Sequence, residues 1–483
     1  MSDCSLAVDP ISLRAERLFS ISYLYPVQRY AVSNILDGID QIVVMPTGAG
    51  KSLCYQLPAG ILPGFTLVVV PLLSLLRDQL RRLGELDLPC AALRGGQDAA
   101  SRRRVMEDVA RERVKLVFTT PEMLEGLGRD RFFRGLVLHH VVVDEAHCIS
   151  EWGESFRPSY LRLGAFVERV KPPLVTAFTA TASPRVLGRI VSLLYPERSP
   201  SVLQESPDRP NIRYAVRTVL SKARALRRLL GPDAEASVVF CLTRREAELY
   251  ARVLRRRLAG REIFFYHAGL SRQERSRVES WFLDSRSGIL TATSAYGMGV
   301  DKADIRRAVH MGIPRSVEAY LQESGRIGRD GLPAEALLLC SYQDLAPDTA
   351  PGSVEADRRE MMRRYALSRR CRRSYLAELM GQGPPPCSGC DVCSGAAPVE
   401  VEGQREMLSA IRRNQRRFTS REALKHLCRL AGSPQADAGI LSDWEAAEIE
   451  EALSALTAVG SIRSAPRGFW RGRLSVVKEP TPR

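Results

Sequence analysis

Gln41-Ile-Val-Val-Met-Pro-Thr-Gly-Ala-Gly-Lys-Ser52 is the stretch that decides the fold. Its opening run, Gln41–Met45, is short and mostly apolar, as a buried strand requires. Glycines 48 and 50 follow, and Lys51-Ser52 opens a helical segment. A strand, a glycine-bearing turn and a helix start together turn backbone N–H groups toward phosphate oxygens. The helix N-terminus adds positive potential. Lys51 is the candidate for the β- and γ-phosphates and Ser52 for Mg²⁺. The candidate nucleotide-binding positions are thus Thr47, Gly48, Ala49, Gly50, Lys51 and Ser52. Met45 stands where the general phosphate-loop pattern asks for glycine. The bland alternative is a glycine-rich turn before a helix.

Further short apolar runs extend outward from this stretch: Thr66–Val70, Lys115–Phe118, Val141–Val143 and Val175–Phe178. Helical segments such as Ser74–Leu83 and Ala99–Arg111 separate them. The alternation predicts a doubly wound parallel α/β sheet, with chemistry at the carboxyl ends of its strands. The pattern restarts near residue 206, after a plausible linker at Gln204–Arg213 holding two prolines. Val238–Phe240, Ile263–Tyr266, Gly288–Thr291 and Ala336–Cys340 are the strand-like runs of this second α/β half. Residues 352–380 read as helical and arginine-rich, and an α-rich tail follows Glu402. In that tail Ile411–Leu430 and Asp443–Val459 suit amphipathic helices. Ser461–Arg463 and Arg473–Val477 suit a hairpin, so the tail fits a winged helix.

Asp144-Glu145 ends one apolar strand, 93 positions after Lys51. Asp144 is a candidate Mg²⁺ ligand, and Glu145 can orient or deprotonate an attacking water. In the second half, Gln322-Glu-Ser-Gly-Arg-Ile-Gly-Arg329 places Arg326 and Arg329 three apart, on one face if helical. Such arginines stabilise charge on a transferring phosphoryl group; alone, the pair would read as a solvated charge cluster. Cys387, Cys390 and Cys393 lie within seven residues, and Cys371 precedes them by fifteen intervening residues. Four thiolates suit a closed tetrahedral zinc site. An iron–sulfur cluster is the chemical alternative. The other seven cysteines read as idle or buried thiols.

The chain has 483 residues, 45% of them hydrophobic, enough for several cores. Its formal net charge of +15 favours a polyanionic partner. Seven lysines against 63 arginines show that arginine-rich composition contributes to that surplus. The N-terminal Met-Ser-Asp-Cys-Ser has no basic segment leading into an apolar one, and no apolar run reaches membrane-spanning length. The expectation is a cytoplasmic protein, nucleoid-associated if bacterial.

The motifs, in this order, resemble a superfamily 2 helicase, and further stretches narrow the resemblance to the RecQ family. Asp144-Glu-Ala-His-Cys-Ile-Ser150 runs into Trp152-Gly-Glu-Ser-Phe-Arg-Pro158, similar to that family's aromatic-rich loop. Phe178-Thr-Ala-Thr-Ala182 resembles its motif III. Tyr266–Leu270, Ala295–Asp301 and Tyr320–Gly331 resemble motifs of its second motor domain. The cysteine spacing resembles its zinc module.

The resemblance implies two RecA-like domains, at 1–205 and 206–345, a zinc-binding module at 346–400 and a winged helix at 401–483. It implies an ATP-dependent DNA helicase of 3′→5′ polarity, acting in DNA repair and recombination with ATP, Mg²⁺ and Zn²⁺. ATP would bind between the two motor domains, with Lys51, Asp144, Glu145, Gln322, Arg326 and Arg329 as its machinery. Trp152, Phe156 and Arg157 become candidates for sensing DNA by stacking and phosphate contact. Single-stranded DNA and duplex junctions are the expected partners.

Departures are visible. Gln28 is kept where the family reads the adenine edge. Ile21 replaces a stacking aromatic and Tyr25 an arginine, while Glu154 and Ser155 stand for His-Asp in the aromatic-rich loop. Two other functions compete with unwinding: an RNA helicase or a translocase that leaves duplex DNA intact, and a non-catalytic DNA-binding scaffold. The scaffold would be marked by loss of Lys51, Asp144, Glu145 or Arg329; all four are present.

Overall fold

Strands made almost wholly of Val, Ile, Leu and Phe must be covered on both faces, which a parallel sheet between helix layers achieves. A computed structural model describes residues 9–46, 48–71, 76, 80, 83–84, 86, 88–126, 135–151, 158–231, 235–258, 260–296, 302–347, 352–396, 401–431, 444–467 and 469–477. The chain divides into two compact units. One runs to Pro207 and includes Leu379–Gln382; the other holds Asp208–Glu378 and the chain from Gly383 onward.

The first unit carries strands β1 (Gln41–Val44), β2 (Phe65–Val69), β3 (Cys90–Leu93), β4 (Leu116–Thr119), β5 (Leu138–Val143), β6 (Leu174–Thr179) and β7 (Ser201–Gln204). They form one sheet in the order β3-β4-β2-β5-β6-β1-β7, and every pairing is parallel. Every residue of β1, β2, β4 and β6 is buried. Two apolar clusters fill this unit, one holding Val141, Phe166 and Ile190, the other Val32, Tyr55 and Phe178. Burying each such side chain stabilises the fold by about 1.5–3 kcal/mol. β3 and β7 were not legible as strands: β3 is only partly buried, and β7 alternates half-buried with exposed residues.

The second unit holds β8 (Ile212–Thr218), β9 (Ser237–Phe240), β10 (Ile263–Tyr266), β11 (Ile289–Ala292), β12 (Arg307–His310) and β13 (Ala334–Cys340). Their order is β10-β11-β9-β12-β13-β8, again all parallel. β8 begins at Ile212, so the predicted linker Gln204–Arg213 is strand at both ends. Helices Arg244–Arg257 and Arg272–Asp284 start at capping boxes, Thr243 with Glu246 and Ser271 with Glu274. The expected helix Ser74–Leu83 lies mostly outside the described residues.

The arginine-rich segment forms helices Val354–Leu367 and Arg372–Leu379. The tail contains helices Gln404–Arg413, Ser420–Ala431 and Ala446–Ala458, then the antiparallel pair β14 (Ile462–Ser464) and β15 (Leu474–Val476). The single helix expected over Ile411–Leu430 is therefore two. It breaks at Asn414–Thr419, where Arg416 takes a left-handed φ of 57°. There Arg416 N donates to Leu474 O at 2.8 Å and Leu474 N to Phe418 O at 2.7 Å, so the break adds a third edge to the hairpin.

Side chains fasten this tail to helix Lys222–Leu229 and its cap Ser221 in the same unit. Arg224 is 4.5 Å over the Trp444 ring and donates to Glu402 Oε1 at 3.0 Å. Arg227 pairs with buried Glu448 at 3.3 Å. Ser221 Oγ donates to Glu451 Oε2 at 2.6 Å, and Leu220 belongs to the tail's apolar cluster. Gly403 has φ 79°, and a Cβ there would lie 2.5 Å from Trp444, so glycine is needed for this packing.

Candidate active site

The phosphate-loop segment leaves β1 and enters helix Lys51–Ala59 through Gly48 (φ 86°) and Gly50 (φ 78°), both in the left-handed region. A Cβ at Gly50 would lie 2.5 Å from Gln28 Nε2, which makes glycine the residue that fits. Thr47 lies outside the described residues; Gly48, Ala49, Gly50, Lys51 and Ser52 are described. Gln28 is buried, donates from Nε2 to Ala49 O at 2.8 Å and accepts from Tyr25 N at 2.9 Å. Its amide thus braces the loop. Tyr23 and Tyr25 are exposed and meet edge-on at 5.8 Å, while Ile21 packs against the core.

β5, β6 and β1 are consecutive in the sheet, which brings three motifs distant in sequence to one edge. Met45 N donates to Thr179 O at 3.0 Å, and Ala146 N to Phe178 O at 2.8 Å. Lys51 Nζ lies 3.5 Å from Met45 O and 3.9 Å from Glu145 Oε1. Glu145 itself sits at φ 49°, a strained conformation for a non-glycine residue. Its N–H donates to Asp144 Oδ1 at 2.9 Å. Burial first, and the neighbouring Glu145 charge second, push the Asp144 carboxyl up to about 6, while Lys51 pulls it down. A divalent cation beside this pair would relieve the repulsion, so Ser52 and Asp144 fit Mg²⁺ chemically.

His147 follows the acidic pair by two residues, and no spacing in the sequence marks it for a role. Its Nδ1 lies 3.3 Å from Glu145 Oε2 and 3.1 Å from Thr179 Oγ1, and Thr179 Oγ1 donates to Thr181 O at 3.0 Å. The acidic motif at the end of β5 is thereby joined to Phe178–Ala182 at the end of β6. Trp152, Glu154, Ser155, Phe156 and Arg157 lie outside the described residues.

In the second unit, helix Val317–Ser324 carries Gln322 and stops at Gly325. Arg326 and Arg329 then occupy a turn containing Gly328 at φ 55°. The expected helical face for the two arginines is corrected: the helix ends at its C-cap Gly325, and Gly328 at φ 55° lies outside helical geometry. Arg326 is buried and Arg329 half-buried. His310, at the end of β12, lies 3.0 Å from Glu323 within the same motif and stacks on Phe240.

The sulfur atoms of Cys371, Cys387, Cys390 and Cys393 all lie within 4.8 Å of one another. A tetrahedral site with Zn–S bonds of about 2.3 Å needs sulfurs roughly 3.8 Å apart, so this donor set fits zinc. Cys393 N donates to Cys390 Sγ at 3.3 Å, which orients that sulfur. Burial opposes ionisation of Cys371, yet hydrogen bonds from Ser374 and the neighbouring thiols bring it down to about 6.

On the hairpin, Phe469 is 88% exposed and Trp470 42% exposed, ring against ring at 4.8 Å. Neither ring packs into the small domain's core. Among the described hairpin residues, Ile462 and Leu474 are buried in the tail's apolar cluster and Val476 packs against it.

Residues 25–190 match the DEAD/DEAH box helicase family, and residues 221–331 match the helicase conserved C-terminal domain. The RecQ-like DNA helicase blm-1 of Caenorhabditis elegans is 36% identical over 417 residues, covering 80% of this chain and 41% of that protein. The ATP-dependent DNA helicase RecQ of Pasteurella multocida is 35% identical over 408 residues, covering 81% of this chain and 63% of that protein. The chain thus spans less than two thirds of the length of these relatives. Among solved structures, the DUF1998 helicase MrfA bound to DNA aligns with a TM-score of 0.58 at 18% identity, over 99% of this chain and 64% of that one. Dbp5 of S. cerevisiae, bound to RNA and ADP BeF3, aligns with a TM-score of 0.57 at 17% identity, over 74% of this chain and 92% of that one. At these identities the two structures share the fold alone. With both helicase domain models matched and RecQ proteins alike over four fifths of its length, the chain belongs to the RecQ family of superfamily 2 helicases.

Proposed function

We propose that this chain is an ATP-dependent DNA helicase that unwinds duplex DNA with 3′→5′ polarity in repair and recombination. The observation that carries the reading is the meeting of Lys51 with Glu145, at 3.9 Å, where β1 and β5 end. A phosphate-loop lysine beside a paired Asp-Glu is what triphosphate hydrolysis requires. Lys51 contacts the β- and γ-phosphates. Glu145, oriented by His147, positions the attacking water. Ser52 and Asp144 would hold Mg²⁺, which would neutralise phosphate charge. Arg326 and Arg329 stabilise charge on the transferring phosphoryl group, and Gln322 serves the same motif. Relatives named as DNA helicases, and the net charge of +15, support DNA as the track. Trp152, Phe156 and Arg157 are the proposed sensors of that DNA.

The proposed division is a first motor domain at 1–205, a second at 206–345, a zinc module at 346–400 and a winged helix at 401–483. Zinc held by the four cysteines would be structural, since four thiolate ligands would leave no open position. In the winged helix, Phe469 and Trp470, flanked by Arg463, Arg467, Arg471 and Arg473, give bases an aromatic surface and phosphates a cationic one. A cytoplasmic, nucleoid-associated site of action accords with the reading. The test measures ATP hydrolysis with single-stranded DNA, duplex DNA or RNA, alongside strand separation of a 3′-tailed duplex. Stimulation by RNA alone, or hydrolysis without strand separation, would refute it.

A further inference from the structure

The arginine turn is held from outside its own helix. Gly325 precedes Arg326 and Gly328 precedes Arg329, and both glycine carbonyls lie beyond the end of helix Val317–Ser324. Arg209 reaches both with one guanidinium: Nη1 donates to Gly325 O at 3.3 Å and Nη2 to Gly328 O at 2.7 Å. Asn211 Nδ2 donates to Gly328 O at 2.8 Å and to Leu332 O at 2.9 Å, and Asn211 O accepts from Ala334 N at 3.0 Å. The peptide plane leading into each arginine is thereby fixed. The left-handed Gly328 is packed so closely that a Cβ there would lie 2.6 Å from Asn211 Nδ2.

The fork is itself held by the cysteine module. Arg373, two residues after Cys371 and almost fully buried, donates from Nη1 to Arg209 O at 3.1 Å and from Nη2 to Ile212 O at 2.6 Å, and it pairs with Asp208. Ser388 Oγ donates to Pro210 O at 2.6 Å. Asp391, next to Cys390, accepts from Val216 N at 2.9 Å and from Arg372 Nε at 2.9 Å. Segment 208–216 therefore joins the cysteines at one end to the arginine turn at the other.

We propose that Arg209 and Asn211 are positioning residues for phosphoryl transfer, fixing the backbone that aims Arg326 and Arg329, and that Arg373 anchors them to the cysteine module. The proposal rests on the reading of Arg326 and Arg329 as hydrolysis residues. A planar guanidinium presents its two Nη groups in a rigid fork that meets both carbonyls, whereas an ammonium is one compact donor centre on a flexible stem and does not fix their spacing. A small misplacement of a group that acts in the transition state lowers turnover more than it lowers ground-state binding.

The test uses the full chain with Arg209→Lys and Asn211→Ala, and Arg329→Ala as the reference. Steady-state hydrolysis gives kcat and KM, direct nucleotide binding gives Kd, and metal content and thermal melting report folding. Each positioning variant should lose about tenfold in kcat, with nucleotide Kd unchanged within about twofold and metal content unchanged. Arg373→Lys should show the same split, to a smaller extent. If Arg329→Ala leaves kcat intact, the hydrolysis reading fails first. If Arg329→Ala lowers kcat while folded Arg209→Lys and Asn211→Ala keep it, the positioning role is wrong. A loss carried by KM, or one that disappears once melting differences are matched by temperature, overturns it as well. Should Arg209→Lys not fold, Asn211→Ala decides alone.

Discussion

The phosphate-binding edge and the tail are held by opposite means. At the first, strands β5, β6 and β1 lie side by side, and main-chain bonds such as Met45 N to Thr179 O fix the loops that leave them. Its chemistry sits in short motifs, each contiguous in sequence, that the sheet brings together. The tail is held through side chains from distant segments: Arg224 on Trp444, Arg227 on Glu448, Ser221 on Glu451. The first arrangement tolerates surface change and fails if one chemical group is lost. The second depends on charge pairing and fails by release.

Lys51→Ala should produce the largest effect. Hydrolysis should become undetectable while DNA binding without nucleotide persists, since Lys51 serves the phosphates; filter binding and a phosphate-release assay read the two separately. Equal loss of both in a folded variant would break the contrast. Arg329→Ala should follow, lowering kcat by about 10³-fold with little change in ATP affinity. Weakened affinity with turnover intact at saturating ATP would assign it a binding role instead.

Metal removal addresses the second kind of region. Elemental analysis should find about one zinc per chain, and stripping it should forfeit up to about 10–16 kcal/mol of binding energy that holds the module folded. Iron, or no metal in carefully prepared protein, overturns the zinc assignment.

The pH dependence belongs to the first region. Asp144 is raised to about 6 by burial, and cation binding needs its carboxylate. Mg²⁺ affinity should therefore fall about tenfold per pH unit below that value and level off above it. The folded cation-free protein also holds this proton more tightly than the unfolded chain. Its stability should thus decline as pH rises from about 3.8 through about 6. A Mg²⁺ affinity flat from pH 5 to 8 would place the cation elsewhere.

The smallest effect on hydrolysis is expected at the tail. Arg224→Ala removes the cation over Trp444 and the bond to Glu402 but leaves Glu448 paired with Arg227, and should cost about 2 kcal/mol in docking the tail, seen as early melting. Deleting residues 402–483 should spare ATPase stimulated by single strands but weaken duplex binding and unwinding. Unwinding undiminished in the truncated chain would remove the winged helix from the mechanism.

The sequence by itself determined the elements whose information is local. A strand, two glycines and Gly-Lys-Ser must be contiguous to cradle a phosphate, so that site was legible, as were the Asp144-Glu145 strand end and the four cysteines. Strong apolar runs also gave most strands, because a strand buried on both faces has little other composition open to it. Four strands escaped: β3 and β7, edge strands half open to solvent, and β8 and β12, whose Arg, Tyr or His residues interrupt the apolar run. Only the tertiary structure decided that β5, β6 and β1 are neighbours, that Arg209 forks across Gly325 and Gly328, and that Phe469 faces solvent while Trp444 is buried. Partners more than a hundred residues apart carry no period or spacing that a linear reading can detect. A ring's exposure depends on which surfaces the rest of the chain has already covered.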